Sequence, residues 1–318
     1  MRLDERFWAD HAHLSAGELY RRYPDWYAND ANWRRAARKA RERFPDLFGQ
    51  TPQKATTRRV RPVEPRDGVE VPTTLEVIAS DFHVPHHDRR AVGCLLGYVR
   101  DNPPDGFTIN GDFADFYQVS RFNKDPQREL ELQADIDECN SVLDAIDAVL
   151  PDGCKKRFVI GNHEMRMANF ITANARSLFG LRCLTLESLL HLEERGYEVI
   201  QPVGRESSTF IGKVEVGHFD KATKHSAYTA KALVEERGCS VIQAHTHRLG
   251  AHYKRERGSG DQRGGWEIGC LCDLSPEYVS RPNWQQGFAT ITRVMSGRFH
   301  VALHEILGGE LLAGGRRY

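Results

Sequence analysis

The sequence predicts an α/β protein whose mainly parallel core follows a small helical region at the amino terminus. Three observations carry that expectation. From residue 75 onward, apolar strand-like runs alternate with segments of helical periodicity, the pattern that folds into a sheet with crossover helices. From Gly265 the pattern changes to closely spaced β-like runs. Before residue 49 the apolar residues fall at helical spacing.

Taken in order, the chain opens with two expected helices. Ser15 is a candidate N-cap, Glu18 completes a capping box, and Pro24 stops the run. The second helix spans Ala31 to Phe44, with apolar positions 33, 36, 37, 40 and 44 and a cover of Arg34, Arg35, Arg38, Lys39, Arg41 and Arg43. Two short helices with a basic second one give a helix-turn-helix-like outline, in which Arg34, Arg35, Arg38 and Lys39 would contact nucleic acid. The alternative is a solvated Arg-rich helix that packs Trp33 and its Ala stripe on the main domain. Residues 49–74, rich in Pro, Thr and charge without periodicity, are expected to form a linker. The expected division is therefore 1–48, 49–74 and 75–318.

Within 75–318, five strand-like runs end in groups that bind metals. Leu75–Ser80 leads into Asp81 and His83, and Phe107–Asn110 into Asp112 and Asp115. Phe158–Ile160 leads into Gly161, Asn162, His163 and Glu164, Lys213–Val216 into His218, and Ser240–Gln243 into His245 and His247. The ends of strands are where open α/β sheets place their chemistry. Between these runs, Arg89–Val99 and Glu129–Val149 have helical periodicity. Phe288–Val294 and Phe299–Ile306, joined by Met295–Arg298 with its Gly297, are expected to pair as a hairpin.

As an ordered set, Asp-x-His, Gly-Asp-x-x-Asp, Gly-Asn-His-Glu, a lone His and Ala-His-x-His, this stretch resembles the calcineurin-like metallophosphoesterase family over residues 75–250. Ala244 stands where the family usually has Gly. The resemblance implies two mixed β-sheets flanked by helices, with the runs from Gly265 onward, hairpin included, in the second and more antiparallel sheet, and a binuclear centre. Asp81, His83, Asp112 and His247 would hold one divalent ion, and Asp112, Asn162, His218 and His245 the other. His163 would act as general acid and phosphate contact, with Glu164 orienting its ring. The donors are oxygen and nitrogen without thiolate, which suits manganese, iron, zinc or nickel, with manganese first. Two metals about 3.5–4 Å apart supply a nucleophilic hydroxide and neutralise phosphoryl charge.

Several residues near the motifs stay open. Asp115 is expected behind the bridging carboxylate or at a turn, and one of Arg121, Arg166 and Arg248 is expected to clamp a phosphate. His86, His87 and His225 are expected at the surface, although His225 rivals His218 for the fourth motif. Phe116, Tyr117 and Phe122 either stack on bases or fill the core. Cys270 and Cys272 are expected as small buried side chains on a strand.

Composition adds little about partners. Lys plus Arg and Asp plus Glu both number 44. Residues 1–62, however, hold 14 basic and 8 acidic residues, a net of +6, which leaves −6 on the rest. Seven scattered cysteines without Cys-x-x-Cys spacing point to reduced thiols. The amino terminus shows no apolar signal core, and nowhere do about 18 apolar residues run together, so a soluble, cytoplasmic protein without a membrane partner is expected. Three functions remain open: a phosphodiesterase or nuclease acting on DNA or RNA, a phosphomonoesterase on phosphoproteins or nucleotides, and an inactive nucleic-acid-binding regulator. Against the second, Asp115-Phe116-Tyr117 stands where protein phosphatases of that family have Asp-Arg-Gly. Oligomeric state is not legible.

Overall fold

The computed structural model describes residues 3–48, 66–121, 131–258, 260–275 and 282–318. Contacts divide the chain into two compact units, Met1–Gly68 and Val69–Tyr318. Residues 49–65 of the expected linker, Glu129 and Leu130 of the second crossover helix, and Phe122 lie outside the described residues. No helix among the described residues is long and apolar enough to cross a membrane.

Among the described residues the first unit holds three α-helices where two helices are expected. α1 (Glu5–His11) starts at Asp4, whose side chain accepts from the Phe7 N–H. α2 (Ala16–Arg22) carries the capping box of Ser15 and Glu18, and α3 (Asp30–Arg43) is capped by Asn29. Trp8, Leu19, Trp33 and Ala40 are buried together. Trp33 packs against Trp8 and Leu19 of its own unit. α1 escapes the sequence pattern because it is only seven residues long and buries only Trp8.

The second unit is an α/β fold of two mixed sheets flanked by helices. Its first four strands, β1 (Thr73–Ala79), β2 (Gly106–Asn110), β3 (Lys155–Val159) and β4 (Tyr197–Ile200), run parallel. Helices α4 (Arg89–Asp101), α5 (Leu132–Asp147), α6 (Met165–Asn174) and the short α7 (Leu186–Leu189) lie between them in sequence. They supply much of the core around Leu95, Leu143, Ile146 and Ile171. A second sheet of five strands has the order β5-β6-β7-β9-β8, from β5 (Ser207–Ile211), β6 (Val214–His218), β7 (Ser240–Gln243), β8 (Leu249–Arg255) and β9 (Gln262–Ile268). α8 (Tyr228–Arg237) buries Leu233 against Phe219 and Val241.

The carboxy-terminal strands correct one expectation. β10 (Gln286–Val294) and β11 (Phe299–Leu307) do form the antiparallel hairpin, but they join the first sheet. β10 pairs antiparallel with β1, Val77 opposite Thr290, and so covers an edge that a parallel core alone would leave open. β12 (Glu310–Ala313) and β13 (Arg316–Arg317) extend that sheet to eight strands. The runs that end in His218 and His245 belong to the second sheet, so the five motifs come from two sheets that face each other. Ile78, Ala289 and Ile291 from one sheet and Val216, Ile242 and Ile268 from the other pack into a single buried cluster. Each such aliphatic side chain contributes about 1.5–3 kcal/mol on burial.

One buried ion network holds the first sheet in register. Glu76 on β1 reaches Arg157 on β3 at 3.0 Å and Arg293 on β10 at 3.2 Å. Gly106 lies opposite Glu76 on the intervening β2, where a Cβ would come within 2.0 Å of the Glu76 carboxylate. Removing Glu76 leaves the buried Arg157 guanidinium uncompensated. Glu76→Ala is expected to cost about 3–5 kcal/mol, read as a lower urea midpoint; a change within about 0.5 kcal/mol would show that the network adds nothing.

Candidate metal centre

All five motifs deliver their side chains from the carboxyl ends of strands, as the parallel register of β1, β2 and β3 and of β6 and β7 requires. The loops are tied to one another by the backbone. Asp81 N–H donates to Gly111 O, His83 N–H to Asp112 O, and Val84 N–H to Phe113 O, at 2.8–3.0 Å. Asp112 Oδ1 accepts from the His163 N–H at 2.9 Å, and Asp81 Oδ2 from the His245 N–H at 3.1 Å.

Asp81, His83, Asp112, His245 and His247 all have positive φ, between 49° and 70°. That left-handed conformation is uncommon outside glycine. Ala244, by contrast, does not take a positive φ, so the glycine usual there is not needed.

The donor atoms converge in two groups that share Asp112. In the first, His83 Nε2 lies 3.1 Å from His247 Nε2 and 4.0 Å from both Asp81 Oδ1 and Asp112 Oδ2. In the second, His218 Nε2 lies 3.2 Å from Asp112 Oδ2 and 3.2 Å from Asn162 Oδ1, with the His245 ring centroid 5.1 Å from that of His218. Asp112 with His218 and His245, and Asp81 with His83 and Asp112, each bring ligand atoms within 4.8 Å of one another. Ligands bound at about 2.0–2.2 Å to one ion sit roughly 3–3.5 Å apart. The spacing fits.

The chemistry of the donors fits as well. His218 Nδ1 donates to the Asn110 carbonyl at 3.0 Å, which leaves Nε2, facing Asp112 Oδ2 and Asn162 Oδ1, as the atom that carries either a second proton or a cation. Asp81 Oδ1 is buried without a hydrogen bond, since His247 Nε2, 3.1 Å away, meets it outside hydrogen-bond geometry. Such a set asks for a cation. Burial alone would lower the proton affinities of His218 and His247, but Asp112 beside the first and Asp81 beside the second push both up to about 10. Burial and the neighbouring His163 push His83 down to about 4, which leaves that imidazole neutral.

His163 is positioned by Asp115. Asp115 Oδ1 lies 2.9 Å from His163 Nδ1 and 3.1 Å from His83 Nδ1. Glu164 does not play the expected part of orienting the ring. Its Oε2 accepts from the N–H groups of Gly161 (2.8 Å) and Asp112 (3.0 Å), and its Oε1 from Ala114 (2.9 Å). A side chain that follows His163 directly and opens α6 is drawn to those unpaired N–H groups. Burial, then Asp112, push the Glu164 carboxyl up to about 7.

Of the three arginines, Arg166 enters the site: its Nη1 donates to Asp115 O at 2.7 Å and its Nη2 to His163 Nε2 at 2.8 Å. Arg248 is anchored to the Thr223 carbonyl, and Arg121 is exposed. His225 is exposed, which leaves His218 as the fourth motif. His86 and His87 are half-buried, with His87 3.9 Å from Glu138. Phe116 is core, 1% exposed, and Tyr117 is half-buried.

Sequence reading missed Cys272, whose sulfur lies 4.0 Å from His247 Nδ1 and falls within a group with His83 and His247. Cys270 and Cys272 are buried but lie beyond β9, not on it. Because β9 runs parallel to β7, its end is a sixth strand end aimed at the site. That was the available signal.

No family model matches the chain. It is similar to the Gene 54 protein of Mycobacterium phage L5, 28% identical over 251 residues that span 76% of this chain and 96% of the relative. The Gene 54 protein of Mycobacterium phage D29 is 27% identical over 250 residues, 75% of this chain and 96% of that one. Among solved structures, Vps29 from Entamoeba histolytica crystallised with zinc is 14% identical, with a TM-score of 0.38, over 77% of this chain and 96% of that one. YfcE, a phosphoesterase from E. coli, is 13% identical, with a TM-score of 0.32, over 72% of this chain and 98% of that one.

Asp115 touches two rings at once, so its loss separates positioning from ligation. Asp115→Asn is expected to weaken metal binding or activity about 10–100-fold, measured by calorimetric titration with manganese and zinc and by turnover. Unchanged affinity together with unchanged turnover would remove Asp115 from the site.

Proposed function

We propose that the chain is a two-metal phosphoesterase and that its substrate is a phosphodiester of nucleic acid. The observation that carries the first part is the backbone strain. Of eight non-glycine residues with positive φ among the described residues, five are candidate ligands. Each such conformation costs on the order of 1–3 kcal/mol, and strain of that kind collects where function requires it.

The residues that would hold the ions are Asp81, His83, Asp112 and His247 for one, and Asp112, Asn162, His218 and His245 for the other. Divalent ions there supply Lewis acidity toward the phosphoryl oxygens and a nucleophile at neutral pH. Manganese is the first candidate, and iron, zinc and nickel are also compatible with oxygen and nitrogen donors.

The chain's own groups supply the rest. Asp115 holds the proton on His163 Nδ1 and leaves Nε2 as the exchanging atom. Arg166 Nη2 donates to Nε2, which therefore presents a lone pair. A phosphoryl oxygen that draws the guanidinium to itself frees that lone pair to take up a proton from solvent and pass it to the leaving alkoxide, so phosphate binding and acid catalysis are linked through one arginine.

The nucleic-acid substrate is supported by the amino-terminal unit, with its net charge of +6 over residues 1–62 beside a remainder at −6. Hydrolysis of bis-nitrophenyl phosphate, nitrophenyl phosphate, and single- and double-stranded DNA and RNA with added manganese tests both parts. Turnover of the diesters and a polynucleotide is expected. Hydrolysis of the monoester alone moves the small-phosphomonoester reading to first place, and no hydrolysis with any metal overturns the enzyme reading. His163→Ala is expected to lower the rate on poor leaving groups roughly 10²–10⁴-fold and the nitrophenyl esters less, because their leaving groups need little protonation. Equal losses on both would make His163 a phosphate contact only.

A further inference from the structure

The basic residues of α3 do not form one convex face. Arg35, Lys39 and Arg43 recur every four residues, so they stand in one row about 6 Å apart along the axis. All three line a cleft of about 770 Å³ in the amino-terminal unit, with Trp8, Tyr27 and Phe44 in its walls. Arg34 lies off that row and is tied to Asp30 at 2.5 Å. Arg34, Arg38 and Arg41 do not line the cleft.

The row has cations to spare. Arg35, Lys39 and Arg43 are exposed, and no carboxylate among the described residues pairs with them. Arg43 instead lies over the Phe44 ring, 5.1 Å from its centroid. Trp8 is fully packed at 2% exposure, whereas Tyr27 and Phe44 are only half-buried.

We propose that this cleft binds single-stranded nucleic acid, with the Arg35, Lys39 and Arg43 row on successive phosphates and Tyr27 and Phe44 offering ring surface to bases. The proposal rests on the phosphodiesterase reading for its purpose but not for its test. A row of cations beside aromatic rings is the combination that single strands use, because every base has a π-face and the backbone charge repeats. A duplex demands the opposite shape: its major groove admits a protruding helix, and here the cations line a concavity. The structure thereby replaces the helix-turn-helix-like expectation, in which Arg34, Arg35, Arg38 and Lys39 act together, with a different set.

The test uses the full chain in chelator, so that binding is read without hydrolysis. Fluorescence anisotropy follows a labelled single-stranded oligonucleotide, and its duplex, across a salt series. Two triple variants lose the same charge: R35A/K39A/R43A in the cleft and R34A/R38A/R41A outside its lining. Alanine keeps helix propensity, and thermal melts confirm that each folds. The cleft variant is expected to lose at least about tenfold in affinity, with the slope of log K against log salt smaller by about 2, at ~0.7 per phosphate, and the other variant to keep both.

Equal losses in the two variants, or none in the cleft variant, overturn the proposal, as does wild-type protein that binds the duplex as tightly as the single strand. Bis-nitrophenyl phosphate hydrolysis with manganese, run on the same variants, keeps the two failures apart. Activity that survives a negative binding result leaves the enzyme reading standing, and absent activity leaves the binding result to stand alone.

Discussion

The carboxylate of Glu164 organises the centre without facing the chemistry. It accepts N–H groups from its own loop at Gly161 and from the neighbouring loop at Asp112 and Ala114. Three charge-assisted bonds to backbone fix the path of two strand ends relative to each other. Asp112 is the residue shared by both donor groups, so the clamp sets the position of the atom on which both depend.

Such close approach leaves no room for side chains. A Cβ at Gly161 would lie 2.3 Å from Asp112 Oδ1 and 2.4 Å from its backbone nitrogen, and one at Gly111 would lie 2.4 Å from His218 Nδ1. The two glycines of the second and third motifs are therefore required by packing of one loop on the next. Their role is geometric, and the ligands inherit their positions from it.

Much of this was legible because metal ligands need particular residue types at strand ends, and a strand followed by Asp, Asn or His breaks the apolar pattern visibly. The β10 and β11 hairpin was equally plain in sequence. Which sheet it joined was not, since hydrogen-bond partners 217 residues apart, such as Glu76 and Arg293, leave no local trace. The role of Glu164 was misjudged for a related reason: adjacency to His163 suggested a contact that the fold does not make, while Asp115, 48 residues away, makes it. Likewise the basic helix α3 was evident, but which of its cations faced a cleft depended on α1, a helix too short to announce itself.

The left-handed turns at Asp81, His83, Asp112, His245 and His247 bear on how the proposed ions would be taken up. They are held by backbone hydrogen bonds and by the Glu164 clamp, on strands whose own core is apolar. In proteins where an ion must order its own ligands, part of the binding free energy goes into folding, and chelation unfolds them. Here backbone and carboxylate contacts bind the loops to one another. Ions at the proposed centre would meet ligands placed by protein contacts, and chelation would then empty the centre without unfolding the chain.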